Sequence, residues 1–162
     1  SDTTLDTLHR ILQVAFGWSN DHMHLFRIAG REYSNPEFEL DYLSESDAML
    51  GQMIQRPKVK IIYEYDFGDS WEIEIIVEKI SPFDDQQPLP VVTDGERAGP
   101  LEDSGGVWGY QDLVEMLRDP SHPEYAERME WIIGDEWEEN GDHYDPEAFS
   151  IEEMNEALRR LR

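Results

Sequence analysis

The chain has 162 residues, 37 of them acidic and 13 basic, which gives a net charge of −24, and it contains no cysteine. That length is enough to bury a real core, and 39% apolar residues with five Trp and seven Tyr exclude an intrinsically disordered composition. Disulfides and thiolate metal sites are excluded, no apolar run reaches the roughly 18–20 residues of a membrane span, and phosphate-rich partners are repelled. The N-terminus has no basic stretch followed by an apolar one, so a cytoplasmic protein with no membrane partner and no direct nucleic-acid partner is expected. The charge itself has three readings: solubility, a protein partner with a basic surface, or mimicry of nucleic acid.

In chain order, residues 3–16 read as a helix. Thr3 or Thr4 caps it, Leu5, Leu8, Ile11, Leu12, Ala15 and Phe16 form one apolar stripe, and Gly17 stops it. His9 lies beside that stripe and reads as structural. Residues 22–28 read as a strand, 30–36 as a turn, and 46–54 as a short helix or irregular segment. The clearest element is a hairpin. Val59, Ile61, Tyr63, Tyr65 and Phe67 alternate with Lys60, Glu64 and Asp66; beyond Gly68-Asp69-Ser70, Trp71, Ile73, Ile75 and Val77 alternate with Glu72, Glu74 and Glu78. Strict alternation predicts an antiparallel pair with one buried and one charged face. A long loop rich in Pro and Gly follows to Gly106, and loops of that length in small proteins are often functional. Helices are expected near 109–118 and 123–133. A third begins at Ser150, where Ser150 and Glu153 make a capping box.

Several residues are candidates for chemistry. His22 and His24 are two apart, so on a strand they share a face and could hold a metal; packed or surface histidines are the plainer reading. Asp66, Asp69, Glu102 and Asp103 sit at turns, where a carboxylate either binds nearby N–H groups or, with water, a hard cation. Glu136-x-Glu138-x-Asn140-Gly141, running to Glu147, has the spacing of a calcium loop. It has Glu rather than Asp first, His143 in its middle and Pro146 before its last ligand. Gly105-Gly106 lacks the Lys-Ser/Thr of a phosphate loop, and Ser104 lies in no nucleophile elbow. No cofactor is expected. Arg97 is the one basic residue between Ser81 and Met116, and Asp66, Asp69, Glu102 and Asp103 are its expected partners.

Taken together, Tyr63–Glu74 with its Asp-Phe-Gly-Asp-Ser-Trp turn and Gly95–Tyr110 with Glu-Asp-Ser-Gly-Gly resemble the signature of the plasmid pRiA open-reading-frame-three-like family. Thr4–His9, Ala15–Trp18, His22–Phe26, Asp145–Phe149 and Asn155 are similar to its opening and closing blocks. The resemblance implies a protein of bacteria and archaea, sometimes carried on mobile elements, and brings no assigned activity. Members of that family often carry a histidine at the position of Ile73 and cysteines near Val92, Gly99 and Ser104, which this sequence lacks; they also begin with a strand pair that would precede Ser1. The expected fold is one α+β domain over 1–162: a mainly antiparallel or mixed sheet with a long hairpin, a β-grasp-like N-terminal part and C-terminal helices. Two functions are open. One is a non-catalytic binding or accessory module whose surface includes Asp66, Asp69, Trp71, Arg97, Glu102, Asp103 and Trp108. The other is a metal-dependent hydrolase using His22, His24 and the turn carboxylates.

Overall fold

In the computed structural model, residues 3–82, 90–133 and 144–161 are described. The first helix, α1, runs Leu5–Phe16. The Thr4 hydroxyl accepts from the Thr7 N–H at 3.2 Å, and Gly17 ends the helix at φ 70°. Its buried line is Leu5, His9, Leu12 and Gln13. That line is turned from the apolar stripe of the sequence and brings two polar side chains into the core.

Strand β1 (His24–Ile28) turns at Ala29 and Gly30, both at positive φ, into β2 (Arg31–Ser34). The sequence reads 30–36 as a turn. The turn is only two residues long, and the polar run Arg31-Glu32 hides a strand that pairs Phe26 with Tyr33. A two-residue strand, β3 (Leu43–Ser44), lies parallel to β2 at one edge. A single turn of helix, α2 (Leu50–Met53), follows, joined to the start of α1 by Leu5 N–H to the Ala48 carbonyl (3.0 Å) and Leu50 N–H to the Thr3 carbonyl (2.8 Å).

Strands β4 (Lys60–Tyr65) and β5 (Trp71–Ile76) form the expected hairpin, with Tyr63 opposite Ile73 and Tyr65 opposite Trp71. The sheet order is β3-β2-β1-β4-β5, mixed through its β2–β3 edge. One face packs Phe26, Ile28, Ile61, Tyr63, Tyr65 and Trp71 against Leu5 and Leu12 of α1. On the opposite face Arg27 pairs with Glu32, Glu64 and Glu72. Those hydrogen-bonded carboxylates raise its pKa further, the Glu72 bond most. Phe67 leaves the alternation and is 37% exposed, because Asp66 bends the chain at φ 57°.

Three more helices complete the described residues: α3 (Gly106–Leu117), α4 (Tyr125–Ile133) and α5 (Ile151–Arg159). Helices α3 and α4 share a small second core of Leu113, Met116 and Ile132. Helix α5 packs on α1, and the Ser150 hydroxyl accepts from the Glu153 N–H as the capping box requires. The class is α+β with a mixed sheet, as expected; the topology does not establish the β-grasp-like part of that expectation. No described helix is long and apolar enough to cross a membrane.

Candidate functional site

The site is built at the tip of the β4–β5 hairpin. Asp66 takes a left-handed backbone, and its Oδ1 accepts the N–H of Gly68 (2.9 Å) and of Asp69 (3.3 Å). This is the turn-fixing role open to aspartate. Asp69 passes the constraint on: its Oδ2 accepts the Gly105 N–H at 3.0 Å. Gly106 then lies so close to the Asp69 carbonyl that a Cβ would come within 2.3 Å of that oxygen. Only glycine fits there, so the tip seats directly on the N-terminus of α3.

Glu102 closes the other side. Its Oε1 accepts the Tyr65 hydroxyl at 2.5 Å and its Oε2 the Ser19 N–H at 2.8 Å. Burial first, then the Glu102 carboxylate, push the Tyr65 phenol upward, so it stays protonated and donates. Trp18, stacked on Tyr65 at 4.6 Å, donates its indole N–H to the Pro100 carbonyl at 2.9 Å. His22 stands edge-on to Tyr65, its Nδ1 3.6 Å from Asp66 and its Nε2 3.5 Å from Asp103. The structure therefore gathers Asp66, Asp69, Glu102, Asp103 and His22 at one place. Among the described residues no Lys or Arg pairs with any of these four carboxylates.

Three expectations are corrected. His24 is not a partner of His22: β1 begins at His24, so His22 lies in the preceding turn and the shared-face rule does not reach it. His24 points into the core, 1% exposed, with Nε2 2.7 Å from the equally buried Glu45 and its ring stacked on His9 at 3.6 Å. Trp71 is 5% exposed and belongs to the core rather than to the surface. Arg97 is held by Glu147, at 3.3 Å, and not by the tip carboxylates. Residues 92–98 run along α5 and the segment before it, through Val92 to Asn155 and Ala98 to Pro146, which places Arg97 away from the hairpin. Glu147 also faces Arg118, so the last position of the calcium-like run is engaged in ion pairs; positions 136–143 of that run lie outside the described residues.

Trp108 is 79% exposed and its neighbour Val107 57%, both in the first turn of α3 beside the tip. The site residue that sequence reasoning missed is Tyr65, whose hydroxyl joins the tip to the 101–103 loop; alternation marks it only as core. The buried set behind the site was missed as well. His9 Nδ1 lies 2.8 Å from the Tyr63 hydroxyl, which also accepts from Gln13 at 2.9 Å, and His9 Nε2 lies 2.6 Å from Asn20 Oδ1. A histidine and a glutamine four apart on an otherwise apolar helix face are the signal that could have found it.

A family model described as plasmid pRiA4b ORF-3-like protein matches residues 1–153. The chain is 33% identical over 160 residues to the uncharacterized protein y4hQ of Sinorhizobium fredii (strain NBRC 101917 / NGR234), covering 97% of this chain and 78% of that protein. It is also similar to the crystal structure of the protein of unknown function MM3350 from Methanosarcina mazei Go1. There the TM-score is 0.78 and the identity 33%, with 94% of this chain and 83% of that one covered.

Proposed function

The chain belongs to the plasmid pRiA4b ORF-3-like family, and from that premise we propose that it is an accessory binding module whose ligand is a basic segment of another protein. The observation that carries this reading is the exposed indole of Trp108, 79% open to water, in the helix turn that abuts the acidic hairpin tip. A solvent-facing Trp and Val pair is apolar area that a monomer gains nothing by displaying. An aromatic face flanked by carboxylates matches a Lys or Arg side chain twice, through cation–π contact and through charge. The net charge of −24 steers such a partner inward and repels nucleic acid. The same reading takes residues 1–162 as one domain working in the cytoplasm.

The test is isothermal titration of the protein with a Lys/Arg-rich peptide at about 150 mM salt, in chelator. Binding that weakens about tenfold or more in Trp108→Ala, a change at an exposed position that leaves the fold intact, supports the proposal. Equal binding by the variant, or none by the parent protein, overturns it.

A further inference from the structure

His22, Asp66 and Asp103 come from three separate segments: the turn before β1, the end of β4 and the loop before α3. One ligand atom from each lies within 4.8 Å of the others. The two gaps to the imidazole, 3.6 Å to Asp66 and 3.5 Å to Asp103, are too long for hydrogen bonds. They run to opposite nitrogens of the ring, Nδ1 and Nε2, so the two aspartates flank the imidazole; ligand atoms on one ion, with bonds of about 2.1 Å at a tetrahedral angle, lie about 3.4 Å apart, a spacing the three groups approach.

Asp66 supplies an independent observation. It is 8% exposed, and its Oδ1 is satisfied by two backbone N–H groups. Its Oδ2 receives no hydrogen bond among the described residues and points at His22. That oxygen faces an imidazole and, among the described residues, no donor, which leaves its lone pairs open to a cation.

We propose that His22, Asp66 and Asp103 together bind one first-row divalent cation, Zn²⁺ or Mn²⁺, through one imidazole nitrogen and one oxygen of each carboxylate. Because the ring now offers a different nitrogen to each aspartate, binding turns it to give a single nitrogen to the ion. An imidazole with two carboxylates suits these metals better than the all-oxygen shells of Ca²⁺ or Mg²⁺. Three protein ligands leave at least one position for water. Glu102 stays outside, committed to Tyr65 and Ser19, and fixes the loop that carries Asp103. This site goes beyond the peptide-binding reading and stands without it, since that reading is tested in chelator.

The experiment is titration of the chelator-stripped protein with zinc chloride and with manganese chloride at about 150 mM salt, followed by the nitrogen shifts of the histidine rings. Binding of one ion per chain that moves the His22 ring nitrogens is expected. Asp103→Asn should weaken it about 100-fold; Asp103 is exposed and asparagine accepts its left-handed backbone, so this variant folds. His22→Gln should do the same. Weak, multi-site uptake that both variants share would identify a diffuse counterion cloud on an acidic protein and overturn the proposal. An unmoved His22 ring would overturn it as well.

Discussion

His9 shows how one residue ties stability to pH. Burial first, and then the charge of the stacked His24, lower its pKa from 6.5 to about 4. The unfolded chain therefore takes up a proton near pH 6.5 that the folded protein refuses until about pH 4. The contribution of a neutral His9 is complete above about pH 6.5 and is lost as the pH falls, roughly 2 kcal/mol of it by pH 5. Urea midpoints for the parent protein and His9→Gln should converge as the pH is lowered from 7 to 5. A constant gap between them would mean that His9 keeps its ordinary pKa. The Tyr63 hydroxyl serves both His9 and Gln13 in the same buried set, so Tyr63→Phe strands two partners. It should cost about 1–3 kcal/mol in the same assay, and a loss below about 0.5 kcal/mol would show that those partners find other bonds. None of this set reads clearly in the sequence. Glu45, the residue facing His24, lies in the polar run Ser44-Glu45-Ser46-Asp47, at the edge of a segment whose sequence has no clear period.

At the level of elements, legibility follows one-sidedness. The β4–β5 hairpin is plain because alternation sorts its residues into a charged face and a face containing buried Ile61, Tyr63, Tyr65 and Trp71. Helix α5 is plain because Ser150 and Glu153 cap it. Strand β2 is hidden because its first two residues are exposed and polar, and β3 because two residues carry no period. The tip site was half legible. Its carboxylates lie in the blocks that carry the family resemblance, yet which histidine joins them depends on where β1 starts, two residues after His22, and a period argument does not fix that start. The 95–106 loop was expected to hang on Arg97; it is anchored by backbone contact instead. Gly99 lies against the end of α1, where a Cβ would meet the Phe16 carbonyl oxygen at 2.1 Å, and the Gly99 carbonyl accepts the Tyr144 hydroxyl at 2.9 Å. Gly99→Ala must push the loop off the helix and should cost about 2 kcal/mol or more. Arg97→Lys alters one exposed ion pair and should cost less than about 1 kcal/mol. Thermal melts of the two variants side by side decide it, and the reverse order would return Arg97 to the role the sequence suggested.

For the whole molecule the dominant quantity is the surplus of carboxylates, 37 acidic against 13 basic residues. Most of the described ion pairs are exposed: Arg97 and Arg118 on Glu147, Arg160 on Glu156, Lys60 on Glu74. Pairs of that kind contribute about 0–1 kcal/mol each and weaken in salt. Against them stands the repulsion of an unbalanced charge of −24, which the expanded unfolded chain relieves and the folded protein does not. At about 10 mM ionic strength the Debye length is about 30 Å, so carboxylates across the whole protein repel one another; at about 1 M it is about 3 Å and only touching groups interact. Added sodium chloride should therefore raise Tm even as it loosens the individual pairs. Each 1 kcal/mol of relieved repulsion corresponds to about 3 °C for a chain of this size. The rise should begin well below molar salt, where screening acts but the general salting-out of apolar surface does not, and chloride and sulfate at equal ionic strength should act alike in that range. A Tm that falls with salt would show that paired charges outweigh the surplus, and a rise seen with sulfate alone would assign the effect to apolar burial instead of to charge.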